Sequence, residues 1–216
     1  MSATHHPSDE FLLAHAGGVA DEALSLIVAT HLALCPACRQ KVARMETAGG
    51  AMLEDLAPEA LSGGALASVL SKLDGTPAER RKPASGARAH WTAPEPLRSY
   101  LGGDLGEVRW TSMSSGISYK PLFKRGKTAA RLIRSRPGRG VGVHTHKGEE
   151  LTLVLTGGYT DQTGHYLRGD LQAADGTLDH RPIADEGEDC IVLAVCDAPL
   201  KFRARTIGLI ARFFGF

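Results

Sequence analysis

The stretch GRGVGVHTHKGEELTLVLTGG, residues 138–158, decides the fold of the second half of this 216-residue chain. His144 and His146 are two positions apart, so their side chains share a face if the backbone is extended. Glu150 has the same parity, whereas Glu149 would point to the opposite face. The leucines of the following ELTLVLT run alternate away from Glu150, which predicts a strand with one ligand-bearing face and one apolar face.

A third histidine extends this polar set. His180 lies in ADGTLDHRP, about thirty residues further along the chain. Three imidazoles and one carboxylate inside a small β-domain would suit a mid-field transition metal. The H-x-H-x3-E spacing with flanking glycines therefore predicts a metal site made of His144, His146, Glu150 and His180.

The rest of the second half consists of short segments that favour strands and are separated by turn signals such as GRG, TGG and ADG. Many short strands at this spacing indicate a β-sandwich or a β-barrel. The candidate strands are EVRWTSM (107–113), ISYKPLF (117–123), TAARLIRS (128–135), ELTLVLTGGY (150–159), DCIVLAVCD (189–197) and IGLIARFF (207–214).

The first half has a different pattern, which predicts helices. SDEFLLAHAGG begins with Ser8 and acidic residues and ends at a glycine pair, as a helix does at its start and stop. Pro36 ends the next helix, DEALSLIVATHLALC, and opens a third, PACRQKVARMETAGGAMLEDL. A fourth candidate, LSGGALASVLSKL, places its leucines and valine near one face.

The segment HLALCPACRQ, residues 31–40, contains a second potential ligand set. His31 and Cys35 share a helix face, and Cys38 lies one turn further, so imidazole and thiolates could bind zinc tetrahedrally. The fourth ligand would be His6 or His5; His6 is preferred because Pro7 fixes its exit toward the first helix. A thioredoxin-like redox pair is the alternative, but that motif follows a strand rather than a helix.

The segment between the two halves is rich in proline, glycine, alanine and basic residues and has no apolar period. It predicts a linker over residues 76–98, a flexible tether that leaves few contacts between the two halves. Cys190 and Cys196 share parity in a predicted strand. They are interpreted as two small buried residues, with an oxidisable pair near the metal as the alternative.

Composition excludes some classes of protein. The 25 basic and 24 acidic residues nearly cancel, so the charge favours neither nucleic acid nor an anionic membrane as a direct partner. The chain has neither an apolar run of membrane-spanning length nor the basic start and apolar core of a secretion signal, which predicts a cytoplasmic protein.

The residue patterns resemble two known families. Residues 138–157 match the first cupin motif, G-x5-H-x-H-x3-E-x6-G, position by position, and the segment around His180 resembles the second, although no asparagine follows at the usual spacing. The N-terminal half resembles zinc-binding anti-sigma factors, which have a histidine before helix one and H-x3-C-x2-C at the junction of helices two and three. The residues that fit this second pattern are His6, His31, Cys35 and Cys38.

The resemblance implies an α+β chain of two domains: an all-α zinc-binding anti-sigma bundle at residues 1–75 and a C-terminal cupin β-barrel at residues 99–216. It implies one zinc ion in each domain. The helices would bind an ECF sigma factor related to sigma E, in a one-to-one complex, and block its contact with RNA polymerase core. The cupin domain would be required for release under singlet oxygen or organic peroxide.

On this interpretation the chain is not an enzyme. The alternative is a cupin metalloenzyme, such as a dioxygenase, with a helical regulatory module, since cupin sites can keep open coordination positions.

Overall fold

The computed structural model describes residues 3–73, 93–198 and 200–202, which contain five α-helices, one short 3-10 helix (Leu105–Glu107) and eleven strands. The helices are α1 (Asp9–Ala16), α2 (Glu22–Leu34), α3 (Pro36–Glu54), α4 (Ala65–Leu73) and α5 (Glu95–Leu101). The strands are β1 (Thr111–Ser114), β2 (Ile117–Arg125), β3 (Thr128–Ser135), β4 (His144–His146), β5 (Glu150–Thr156), β6 (Gly158–Asp161), β7 (Gly164–Leu167), β8 (Leu171–Ala174), β9 (Ile183–Ala184), β10 (Cys190–Cys196) and β11 (Leu200–Phe202).

The first three helices begin and end at the predicted signals. The side chain of Ser8 accepts a hydrogen bond from the Phe11 amide, and that of Asp21 accepts one from the Leu24 amide, so both residues cap helix N-termini. Cys35 has extended backbone angles and separates α2 from α3, and Pro36 occupies the start of α3. The sharp break between these helices is therefore a local consequence of the Cys-Pro pair.

The strands form three antiparallel sheets. The largest has the order β1-β2-β3-β10-β5-β8, and two smaller sheets have the orders β11-β4 and β7-β6-β9. Single bridges join Gly140 to Ile183 and His144 to His180, which ties the small sheets together around the histidines.

The six-stranded sheet has two differently used faces. Leu151, Leu153 and Leu155 lie in the same apolar cluster as helix residues such as Ile27 and Leu97. Val154, Val192 and Cys190 lie in a second cluster with Tyr159 and Tyr166 of the small sheet. The helices thus cover one face, while the other face is turned toward the small sheets, as the alternation in ELTLVLT predicts.

Helix α2 is the centre of the contact between the two halves of the chain. It packs against α1, α3 and α5 on the helical side and against β3, β5 and β10 on the sheet side. Its buried residues occupy much of its circumference, as expected of a helix with neighbours all round. Ion pairs add to this contact at the surface, for example Arg125 with Glu22 at 3.0 Å.

Two predictions about the connection between the halves are wrong. Helix α5 begins at Glu95, within the predicted linker 76–98, and its Leu97 is fully buried. The helices are also not joined to the sheets by a tether with few contacts, because one apolar cluster contains residues of both. Residues 74–92 of the predicted linker and the predicted strand 207–214 lie outside the described residues.

The described helices include none that is both long enough and apolar enough to cross a lipid bilayer.

Candidate metal centres

The N-terminal ligand candidates converge at the junction of α2 and α3. Nδ1 of His6 lies 3.5 Å from Sγ of Cys35 and 3.4 Å from Sγ of Cys38. One donor atom from each of His6, His31, Cys35 and Cys38 lies within 4.8 Å of the other three. Cys38 is in the first turn of α3, where the helix dipole favours a thiolate. The structure therefore assembles a His2Cys2 donor set with the chemistry that zinc prefers.

His31 is held in the orientation that a metal ligand needs. Its Nδ1 lies 2.9 Å from the carbonyl oxygen of Gly169, and because a carbonyl only accepts, Nδ1 carries the proton. Its Nε2 is buried and has no hydrogen-bond partner among the described residues. Burial lowers the pKa of His31 to about 4, so the ring is neutral near pH 7 and Nε2 offers a lone pair to the cysteines.

The two thiols also fit a cation. Burial raises the pKa of Cys38 to about 11, and the neighbouring Cys35 contributes to the rise. Two thiolates this close repel each other unless a positive charge lies between them, and a divalent ion supplies that charge. A divalent ion bound here would replace the thiol protons, so the donor set suits such an ion.

The choice between His5 and His6 is clear from the geometry. The ring of His5 packs on Tyr166, with 4.4 Å between the ring centroids, and its Nδ1 lies 3.4 Å from Asp170. It therefore faces the sheets, whereas His6 faces the cysteines.

The second set lies between the six-stranded sheet and the small sheets. Nε2 of His180 is 3.0 Å from Nε2 of His146 and 3.1 Å from Nε2 of His144. Oε2 of Glu150 lies 3.6 Å from Nε2 of His146. All four side chains are buried. The sequence prediction that these four residues come together is thus matched by their positions.

The histidines of this set direct lone pairs at one another. Nδ1 of His144 donates to the carbonyl oxygen of Gly142 at 2.8 Å, and Nδ1 of His180 donates to the carboxylate of Asp161 at 2.9 Å. In the neutral rings the Nε2 atoms then carry lone pairs rather than protons. The Nε2 atoms of His144 and His180 therefore direct lone pairs at each other across 3.1 Å, close to the carboxylate of Glu150, and a bound cation would relieve their repulsion.

Burial sets the protonation of these ligands. It lowers the pKa of His144 and of His146 to about 4, which keeps both rings neutral near pH 7. It raises the pKa of Glu150 to about 7, against the opposing charge of Arg131. The carboxyl group of Glu150 therefore changes charge near neutral pH.

An apolar cavity adjoins this second set. Its lining includes His144, Glu150 and His180 together with Val192, Ile133 and Cys190. Burial raises the pKa of Cys190 to about 12, so it is not a reactive thiolate there. Cys196 is also buried, six residues further along β10, or about 20 Å at strand geometry, so the two cysteines do not form a pair.

Sequence reasoning missed the residues that orient the ligands. Gly142 and Asp161 hold the second set, while Gly169 holds His31 from the other half of the chain. The outer partners of ligating histidines are usually carbonyls or carboxylates, but nothing in their spacing marks these three residues.

The chain is similar in sequence to a known family and to a characterised protein. A family described as the ChrR cupin-like domain matches residues 100–199. The anti-sigma-E factor ChrR of Cereibacter sphaeroides is 44% identical over 214 residues, which is 99% of each chain. The chain belongs to the ChrR family of anti-sigma factors. The identity extends through both halves, which favours a regulatory protein over an isolated metalloenzyme.

A solved structure of a ChrR chain agrees with this assignment. A crystal structure described as Rhodobacter sphaeroides SigE in complex with the anti-sigma ChrR contains a chain with 41% identity and a TM-score of 0.77. The match covers 90% of this chain and all of that one. KdgF from Halomonas sp. matches 43% of this chain and 88% of its own, at 18% identity and a TM-score of 0.38. The predicted α+β class, with N-terminal helices and a cupin-like second half, is confirmed by the ChrR match.

Proposed function

We propose that this ChrR-family chain is an anti-sigma factor that binds an ECF sigma factor related to SigE in a one-to-one complex and blocks its contact with RNA polymerase core. The observation that carries the proposal is the exposed apolar face of α4, considered together with the similarity to a chain solved in complex with SigE.

Helix α4 has an exposed apolar face, as a helix that binds another protein does. Its apolar residues Leu66, Val69, Leu70 and Leu73 fall on one face and are 50–72% exposed. No residue of α4 is buried. Met52, Leu53 and Leu56 at the end of α3, and Leu61 before α4, are exposed as well. Such a concentration of apolar side chains, here called the α3–α4 surface, is typical of a protein-binding groove or helix.

The N-terminal His2Cys2 set would hold one zinc ion. The ion joins the segment before α1 to the junction of α2 and α3, and small helical modules of this size often depend on such a metal for their fold. Its role would be to shape the helices rather than to perform chemistry.

The cupin set would hold a second metal ion, which we propose is also zinc, and would serve the response to singlet oxygen or organic peroxide. The apolar cavity beside His144 and Glu150 supports this role, because a small apolar oxidant or lipid-derived peroxide would reach the ligands through it. An iron-dependent dioxygenase is the competing possibility. Metal analysis of the purified protein separates the two, since zinc is redox-inert.

The binding proposal is tested by transcription in vitro with polymerase core and a SigE-type sigma factor. The wild-type chain should inhibit transcription at near-stoichiometric concentration. Val69→Asp with Leu70→Asp should abolish inhibition without unfolding the chain, because both residues are at least half exposed. Ser68→Asp, on the opposite face of α4, is the matched control and should inhibit normally. If the double variant still inhibits, α4 is not the binding surface.

A further inference from the structure

The cupin half holds the N-terminal segment in place through one carboxylate. Oδ1 of Asp170 accepts hydrogen bonds from the backbone amides of Thr4 at 2.6 Å and His5 at 2.9 Å, and Oδ2 accepts one from Leu167 at 2.9 Å. The amide of Leu171 in turn donates to the carbonyl of His5 at 3.1 Å. Asp170 is buried, and these donors outweigh the burial that would otherwise raise its pKa.

This attachment fixes two of the four N-terminal donors. His6 directly follows the segment that Asp170 holds, and Pro7 after it is buried. Gly169, the residue before Asp170, orients His31 through its carbonyl. Two consecutive residues of the cupin half therefore position both histidines of a site whose cysteines belong to the helices.

Strand β8, which begins directly after Asp170, also reaches the cupin set. Gln172, two residues after Asp170, donates from Nε2 to Oδ2 of Asp161 at 2.8 Å and accepts from the hydroxyl of Tyr159 at 2.8 Å. That oxygen of Asp161 also accepts the hydrogen bond from His180. The side chain of Asp161 is fully buried, so its position depends on these partners.

We propose that Asp170 is a positioning residue of the N-terminal metal site, and that β8 couples this site to the cupin site through Gln172 and Asp161. The inference rests on the metal assignment of the proposed function. An ion at either site restrains β8 and its flanking loop. The second ion then binds where the backbone is already ordered, so its binding costs less conformational entropy. Each ion therefore strengthens the binding of the other.

The positioning role is tested with Co²⁺ in the purified full chain. Thiolates give bound cobalt an intense near-ultraviolet absorption that the histidine and carboxylate ligands of the cupin site do not, so the N-terminal site is read separately. Asp170→Ala should weaken cobalt binding at the thiolate site by about 10–100-fold, as loss of outer-shell partners usually does. Asp170→Asn keeps one acceptor oxygen, so its cobalt affinity at the thiolate site should fall by a smaller factor.

Asp104→Ala is the matched control. Asp104 also accepts a backbone hydrogen bond in the cupin half, from Ala93, and pairs with Arg98, but it contacts neither donor set. It should leave the thiolate–cobalt affinity unchanged. The positioning role is overturned if Asp170→Ala binds cobalt at the thiolate site as tightly as the wild type does. It is also overturned if Asp104→Ala loses as much cobalt affinity as Asp170→Ala. A wild-type chain without the thiolate absorption would instead contradict the metal assignment itself.

The coupling is tested by emptying the cupin site. His180→Ala should weaken cobalt binding at the distant thiolate site by about 5-fold or more, the usual size of coupling between sites. In a Gln172→Ala background, where the path is interrupted, adding His180→Ala should have no further effect. Equal thiolate-site affinity in the wild type and in His180→Ala would overturn the coupling.

Discussion

At the scale of single residues, Glu150 and Cys38 give the two proposed metal sites different responses to pH. A proton on a ligand competes with the metal, so affinity rises with pH until the pH exceeds the pKa of that ligand. His144 and His146, with pKa values of about 4, are already neutral at pH 6. Glu150 in the cupin set still holds a proton at pH 6, because its pKa is about 7, whereas the pKa of Cys38 is about 11.

The cupin site should therefore gain affinity up to about pH 7 and then level off, by about tenfold per pH unit for the one proton released. The thiolate site should continue to gain affinity through pH 9. Zinc titrations of His146→Ala and Cys35→Ala, each of which retains one site, measure the two profiles. Glu150→Gln should bind metal more weakly and flatten the cupin profile. Parallel profiles for the two sites would contradict the assignment of the protons.

Most of the candidate metal ligands could be predicted from the sequence because their spacing is local. Helix geometry brings together the side chains of His31, Cys35 and Cys38. Strand parity puts His144, His146 and Glu150 on one face. Asp161 and Asp170 could not be predicted, because they reach their histidines from segments far along the chain and no periodicity marks them. His6 was preferred over His5 on the strength of Pro7, and the structure adds the reason: Asp170 and Tyr166 keep His5 on the sheet side.

At the scale of elements, helix α5 shows where composition misleads. The sequence TAPEPL suggests a linker because of its prolines, yet Pro94 is the N-cap of a helix and Pro96 lies in the first turn, where proline is tolerated. The helix packs against α2 and buries Leu97 completely. Because α5 packs against a helix far along the chain, no local signal in the sequence predicts this contact.

Leu97→Ala should accordingly destabilise the chain by about 2–5 kcal/mol, because it leaves a cavity where α5 meets α2. Chemical denaturation of the metal-loaded protein measures this loss. Ser99→Ala, on the exposed side of the same helix, should change the free energy of unfolding by no more than about 0.5 kcal/mol. If the two variants were equally stable, α5 would not be part of the folded core.

At the scale of the whole molecule, the two halves share one apolar cluster that has α2 at its centre. The six-stranded sheet separates the cupin set on one face from the helices on the other. A change on the ligand face therefore has a short physical route to α2 through β5 and β10. The sequence, which suggested two domains on a tether, could not reveal this contact, because the surfaces that meet are ordinary apolar faces of each half.

This arrangement predicts that the cupin set is needed for signalling but not for inhibition. An oxidant can weaken the sigma complex only if it favours the released state over the bound one, and the buried ligands are the part of the cupin half most sensitive to a change of charge. His146→Ala leaves the exposed α3–α4 surface untouched, so it should repress a sigma-dependent reporter normally in unstressed cells. Induction by singlet oxygen or organic peroxide should be blunted.

Lys147→Ala, an exposed neighbour, is the control and should respond as the wild type does. Full induction in His146→Ala, after normal repression, would remove the cupin set from the response and leave Cys35 and Cys38 as the sensor.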